Sequence, residues 1–270
     1  MFRLPNLLIV GAQKCGTTYA HQVLSRSPDI VGSTVKELNF FNSTNCTGEA
    51  YQEQYRSNFK SGHQRYYMES TPHYFRLPHK AGEEVNGVTP DIAKSIDQIL
   101  PHDDRKLIVI LRNPVERAIS ATNHHIAMGR LPAVDLIDHI SNTHGIVNRG
   151  FYCKILEHWR PFFGDDIHVF FYDDLLLSPV IFFKKICGFL QLESEFLDSA
   201  PLTKKVNSSR DVAKSKEKRG ATEISIRVIH DLIEIYSEDI ELLFQTEGVR
   251  FPDWLNAKNV ARNLSLLVAE

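Results

Sequence analysis

Leu7-Leu8-Ile9-Val10-Gly11-Ala12-Gln13-Lys14-Cys15-Gly16-Thr17-Thr18 reads as a strand, a tight loop bounded by glycines, and the start of a helix. The run from Leu7 to Val10 is short, continuous and apolar and ends on a glycine, the pattern of a parallel strand buried on both faces. Thr17 or Thr18 is then expected to cap a helix that continues to about Ser27, where Pro28 stops it. Gly11 and Gly16 have the spacing of the loop G-x-x-x-x-G-K-[ST], in which backbone N–H groups and a helix N-terminus cradle phosphate oxygens. The residue after Gly16 is Thr17, however, and the loop's only lysine, Lys14, stands two positions ahead of Gly16.

The same strand-to-helix pattern recurs along the chain. Lys106 to Leu111 is a second buried-strand candidate, followed by Arg112-Asn113-Pro114, where proline suits the first turn of a helix. Ile167 to Tyr172 reads as a third strand with a helix from Pro179 to Leu190 behind it, and Tyr66 to Ser70 as a further strand. Apolar residues recur near helical spacing from Ala221 to Phe244, which predicts one or two amphipathic helices. Strands alternating with helices predict an α/β fold, a P-loop-like three-layer arrangement with a central, mostly parallel sheet flanked by helices, and place a ligand at the carboxyl ends of the strands. A single domain over residues 1–270 is expected.

Composition narrows the function classes. Hydrophobic residues make up 43% and charged residues 24% of the 270, enough to build a sizeable core and too balanced for disorder to dominate. The formal net charge of −2 gives no general field for polyanions, so nucleic acid is not expected as a partner and any basic site must be local. One local concentration lies between Thr203 and Gly220, where Lys204, Lys205, Arg210, Lys214, Lys216, Lys218 and Arg219 outnumber Asp211 and Glu217. Cys15, Cys46, Cys153 and Cys187 show no C-x-x-C pairing, which argues against a zinc knuckle or a dense disulfide framework and fits a reducing compartment. No signal-peptide core or membrane span is visible, and the sequons at Asn42, Asn45, Asn207 and Asn263 are read as unmodified, so a cytoplasmic location is expected.

The loop also departs from what a kinase or NTPase needs. Such an enzyme places an acidic residue at the end of a neighbouring strand to hold magnesium, whereas the best second strand here ends in Arg112. No metal site is expected. Arginine and lysine where a kinase has aspartate and magnesium suit a transferred group with less charge than a terminal phosphoryl.

At these residues the chain resembles the sulfotransferases that use 3′-phosphoadenosine 5′-phosphosulfate (PAPS), especially the heparan sulfate sulfotransferase-like branch and its bacterial relatives. Lys14-Cys15-Gly16-Thr17-Thr18 resembles that family's 5′-phosphosulfate loop. Arg112-Asn113-Pro114-Val115-Glu116-Arg117-Ala118-Ile119-Ser120 resembles its 3′-phosphate motif, with Arg112 and Ser120 in the binding positions. Lys36-Glu37, followed by Phe40-Phe41, resembles the strip that supplies a catalytic carboxylate. Weaker echoes, Gly150 to Trp159, Phe171 to Leu175, Phe189-Leu190 and Pro252-Asp253-Trp254, extend the likeness over most of the chain.

The resemblance implies direct, in-line, metal-independent transfer of a sulfuryl group from PAPS to a hydroxyl or amine of a small-molecule or carbohydrate acceptor, with adenosine 3′,5′-bisphosphate as product. It implies that Lys14 stabilises the leaving 5′-phosphate and that Glu37 is the general base, with His124, four residues after Ser120 on the predicted helix, as the other candidate. Lys218-Arg219-Gly220 resembles the basic tripeptide that closes over the 3′-phosphate. In Glu69-Ser70-Thr71-Pro72-His73-Tyr74-Phe75 a lysine often follows the glutamate in relatives, and Ser70 stands there instead, which weakens the case for a polyanionic sugar as acceptor. Two rival readings are a P-loop kinase or NTPase and a non-catalytic nucleotide- or glycan-binding module of the same fold.

Overall fold

The computed structural model describes residues 3–43, 46–60, 62–78, 90–198, 202, 223–264 and 268–269. They cluster into two compact units, Met1–Leu111 with Ile155–Lys204 and Arg112–Lys154 with Lys205–Glu270.

The first unit is built on a five-stranded sheet of β1 (Leu7–Gly11), β2 (Ile30–Gly32), β3 (Tyr66–Ser70), β4 (Lys106–Leu111) and β6 (Ile167–Phe171), in the order β2-β3-β1-β4-β6. Every neighbouring pair is parallel. All five residues of β1 and of β3 are buried, as the central strands of a sheet covered by helices must be. Because the strands run the same way, their carboxyl ends share one edge, and the loops that leave β1 and β3 start from it. The register of β1 on β4 shifts between Ile9 and Gly11, where the strand gives way to the loop.

The helices of this unit are α1 (Thr17–Leu24), α2 (Glu49–Arg56), α3 (Ile92–Ile99), most of α5 (Tyr152–Phe163), α6 (Tyr172–Leu177) and α7 (Pro179–Leu190). The boundary between the units falls inside α5. Helix α7 has the limits its sequence predicts: the Ser178 hydroxyl accepts from Ile181 N–H, Pro179 opens the first turn, and Gln191 closes the helix at φ 53°.

The second unit holds α4 (Pro114–Ala127), α8 (Ile226–Glu247), α9 (Ala257–Leu264) and a small parallel sheet, β5 (Leu136–Ile137), β7 (Glu223–Ser225) and β8 (Val268–Ala269), in the order β5-β7-β8. Asn113 caps α4 by accepting from Val115 N–H at 2.9 Å and donates to the Trp254 carbonyl at 3.3 Å. The fully buried Arg117 donates to the Ile146 carbonyl, and Tyr236 donates to the Val147 carbonyl at 2.8 Å. Asp239, on α8, accepts from Cys153 N–H at 3.0 Å and Lys154 N–H at 3.1 Å, satisfying donors at the start of α5 from a residue distant in sequence.

Some boundaries differ from expectation. Neither Thr17 nor Thr18 caps α1: Gly16 does, at φ 84°, with no side-chain hydrogen bond, and the two threonines are the first residues of the helix. That helix ends at Leu24 rather than near Ser27, because the chain turns through Ser25 to Ser27 ahead of Pro28. The third strand stops at Phe171, and Tyr172 opens α6 instead. The segment expected as helix from Ala221 begins with strand β7, and α8 follows, started by Ser225 and ended by Gly248 at φ 65°. Among the described residues no helix is long and apolar enough to cross a membrane.

Candidate functional site

In the first unit the Gly11–Gly16 loop carries β1 into α1. Its placement is tight: a Cβ on Gly11 would come within 2.3 Å of the Phe75 Cβ, and one on Gly16 within 3.0 Å of the Tyr172 ring. Phe75 N–H donates to the Val10 carbonyl at 2.9 Å and Ala12 N–H to the Ile110 carbonyl at 2.8 Å, so β3's outgoing chain and β4 hold the two sides of the loop entrance. Lys14 is in the left-handed region at φ 69°, half-buried, and Cys15 is buried with its Sγ toward the Gln13 carbonyl at 3.5 Å. Gln13 is 6% exposed, and its Oε1 has no hydrogen-bond partner among the described residues.

These features suit an anion. Helix α1 has no side-chain cap and no acidic residue in its first turn, so its leading N–H groups and positive dipole end are left for an external acceptor. Thr17 and Thr18 put hydroxyls in that first turn. The loop therefore suits a phosphate-like anion.

Glu37 lies on the segment between β2 and α2, which runs past the end of β3. Its N–H donates to the Ser70 carbonyl at 3.1 Å and its φ is 66°. The carboxylate is held at one oxygen, with Lys36 Nζ 2.5 Å from Oε1, and His73 Nε2 faces the other at 4.0 Å. Lys36 also reaches electrostatically to His21 on α1, whose imidazole is pushed down to about 4 by burial and by that charge, so it is neutral at neutral pH. Ser70 is fully buried, with a hydroxyl that has no partner among the described residues.

In the second unit, Arg112 follows directly on the last residue of β4, and Ser120 and His124 lie on α4. Glu116, Ser120 and His124 are spaced by four and so share a face of that helix. Arg112 donates from Nε at 2.9 Å and Nη2 at 2.7 Å to one oxygen of Glu116, whose other oxygen accepts from Asn263 at 3.1 Å. Beside His124 lies His125, ring centroids 5.7 Å apart, and His125 in turn stacks on His144 at 4.5 Å. His125 is 3% exposed and pushed down to about 4 by burial and by the surrounding basic groups, His144 first among them.

The structure thus gathers Lys14, Cys15, Gly16, Thr17 and Thr18 on one loop and helix start, seats Glu37 against β3, and puts Arg112, Ser120 and His124 in line at α4. Lys218, Arg219 and Gly220, with Lys204, Lys205 and Arg210, lie outside the described residues. Among the described residues no group of three His, Cys, Asp or Glu side chains is arranged to hold a metal ion. Sequence reasoning missed Glu116, although its spacing from Arg112 carried a signal, and His73, which carried none because only folding brings the β3 exit to Glu37.

Comparison with known proteins identifies the family and the fold. The model for the sulfotransferase domain matches residues 4–232. Human heparan sulfate glucosamine 3-O-sulfotransferase 6 is 29% identical over 187 residues, covering 65% of this chain and 48% of its own. Human heparan sulfate glucosamine 3-O-sulfotransferase 3B1 is 28% identical over 271 residues, covering 92% of this chain and 65% of its own. The chain matches about half to two-thirds of the length of these two relatives. A crystal structure of a sulfotransferase from Alicyclobacillus acidocaldarius shares the fold, with a TM-score of 0.67 at 19% identity over 93% of this chain and 99% of that one.

Proposed function

The chain belongs to the sulfotransferase domain family, and from that premise we propose that it transfers a sulfuryl group from PAPS to a hydroxyl or amine of a small-molecule or carbohydrate acceptor. The observation that carries the reading is the start of α1, where Gly16 leaves the helix without a side-chain cap and Lys14 replaces the usual lysine after the second glycine. When bound, PAPS supplies the sulfuryl group, and adenosine 3′,5′-bisphosphate is what remains.

The residues divide the work. The N–H groups and hydroxyls of Thr17 and Thr18 bind the 5′-phosphosulfate oxygens, and Lys14 neutralises the charge that grows on the 5′-phosphate oxygen as its bond to sulfur breaks. Arg112 and Ser120 hold the 3′-phosphate, which gives selection against ATP because ATP has no phosphate there. Glu37 takes the acceptor's proton as the acceptor oxygen or nitrogen bonds to sulfur. Lys36 holds its carboxylate in place for that step, and His73 faces the other carboxylate oxygen. His124 is the second candidate base and a group to orient the acceptor. The donors offered are cations and N–H groups rather than the carboxylates a magnesium-dependent phosphoryl transfer needs, which supports transfer without a metal.

The four cysteines are all buried and free of disulfides, which supports a reducing, cytoplasmic setting. The relatives' names make a glucosamine-containing glycan one acceptor to try, while Ser70, where relatives often carry a lysine, weakens the case for a polyanionic one. The test is incubation with 35S-labelled PAPS and a panel of glucosamine glycans, lipids, phenols and small alcohols. Label transferred to an acceptor, independent of added magnesium, is expected. Transfer of phosphate from ATP with magnesium, and none from PAPS, would overturn the proposal.

A further inference from the structure

A buried acidic group with no role in the proposed chemistry lies on β3, behind the segment that carries Glu37. Glu69, on β3, is fully buried, and burial pushes its carboxyl above the usual range against the opposing effect of three hydroxyl donors. Tyr74 donates to Oε1 at 2.7 Å, Thr71 donates to the same oxygen at 2.8 Å, and Tyr55 donates to Oε2. The three donors are themselves at most 3% exposed.

A hydroxyl carries one proton and two lone pairs, so a hydroxyl that donates to Glu69 has only acceptor capacity left. Both hydroxyls on Oε1 use it on the segment that carries Glu37: Phe41 N–H donates to Tyr74 Oη at 3.2 Å and Asn39 N–H to Thr71 Oγ1 at 3.3 Å. The third tie is Glu37 N–H to the Ser70 carbonyl. Phe40 and Phe41 pack the same segment onto the same tyrosines, Phe40 stacked on Tyr55 at 3.9 Å and Phe41 edge-on to Tyr74 at 5.5 Å. Glu37 and Asn39 both have positive φ, a backbone state that asparagine tolerates but that is unfavourable for glutamate unless its neighbours hold it.

We propose that Glu69 is a positioning residue: through Oε1 it fixes the direction of the Tyr74 and Thr71 hydroxyls, which then clamp the backbone of residues 39 and 41 and so aim Glu37. The proposal rests on the reading of Glu37 as the base. The acceptor oxygen, rather than the charge, does the work, because Oε1 accepts both hydroxyls whether or not Oε2 carries a proton. Glutamine at this position keeps that oxygen and turns its NH2 toward Tyr55; leucine of similar size removes it.

The experiment follows amide exchange of the 37–42 segment, kcat and donor KM in the full chain for Glu69→Gln, Glu69→Leu, Tyr74→Phe and Thr71→Val. Tyr74→Phe is expected to raise exchange at Phe41, and Thr71→Val at Asn39, by about three- to tenfold, the loss of one hydrogen bond. Each is expected to lower kcat on the order of tenfold or more, since small misplacement of a catalytic group is costly, with donor KM held within about twofold. Glu69→Gln is expected to keep protection and kcat within about threefold, and Glu69→Leu to lose both. If Glu69→Leu does not fold, the tyrosine and threonine variants decide the matter alone. Unchanged exchange in both of them overturns the clamp, whatever Glu37→Gln does. A loss in Glu69→Gln as large as in Glu69→Leu overturns the acceptor role. Faster exchange with undiminished kcat, together with a fully active Glu37→Gln, overturns the reading of Glu37 and with it the positioning role.

Discussion

The Arg112 guanidinium donates twice to a single oxygen of Glu116, from Nε at 2.9 Å and from Nη2 at 2.7 Å. Glu116 is 6% exposed and is itself held by Asn263, so the arginine is braced at the start of α4 by an acid one turn along the helix. A charge-assisted bond contributes ~1.5–3 kcal/mol, roughly tenfold to a hundredfold in affinity. Arg112→Ala is therefore expected to weaken adenosine 3′,5′-bisphosphate by that factor and adenosine 5′-phosphosulfate by little, with Glu116→Gln intermediate. Calorimetry with the two ligands checks it, and equal losses would remove Arg112 from the 3′-phosphate.

Lys14 acts in the proposed chemistry where charge grows as the bond to sulfur breaks, so its contribution belongs to the transition state. Lys14→Ala is expected to lower kcat at saturating donor by about a hundredfold or more, the usual effect of losing one such donor. Single-turnover rates with labelled PAPS measure it. A variant that kept most of its turnover would sink the assignment.

Glu37→Gln is expected to cost turnover on the order of a hundredfold while adenosine 3′,5′-bisphosphate binding stays within about twofold. His73→Ala, which leaves Lys36 on the other oxygen, is expected to cost less. Should Glu37→Gln retain its rate, the same assay on His124→Ala shows whether the base lies on α4.

Gly16 caps α1 at φ 84°, with the Tyr172 ring where a Cβ would point. The left-handed state costs an ordinary residue about 1–2 kcal/mol, and the ring must also give way. Gly16→Ala is expected to lower Tm by roughly 2–8 °C and to weaken donor binding. An unchanged melting curve would show that the loop relaxes without cost.

His125 is buried with its imidazole pushed down to about 4 from 6.5. A histidine whose folded pKa is depressed is neutral when folded and charged when unfolded below about 6.5. Its stability contribution is present above 6.5 and is lost as pH falls toward 4. Urea midpoints taken between pH 7.5 and 4.5 should fall less steeply for His125→Leu than for the parent chain. Parallel curves would count against this origin of acid sensitivity.

Much of the fold was legible in the sequence because its signals are local. Leu7–Val10 and Leu107–Leu111 announce buried parallel strands by unbroken apolar runs, Ile167–Phe171 does so with a single exposed break at His168, and Pro179 opens α7. The Gly11–Gly16 loop and the spacing of Arg112, Ser120 and His124 are equally local, since one turn and one helix face fix them. The boundaries that moved, at Gly16 and at Glu223–Ser225, were set by backbone states and strand pairings that side-chain periodicity does not encode.

What only the tertiary structure decided is the surroundings of Glu37. Its ion pair with Lys36 is between chain neighbours, but the approach of His73, the anchor on Ser70 and the hydroxyls oriented by Glu69 come from residues that only the pairing of β2 with β3 brings to the same edge. The positive φ of Glu37 belongs to that same set of ties. Sequence alone named the carboxylate; a backbone conformation unfavourable for glutamate, held by contacts distant along the chain, determined where it points.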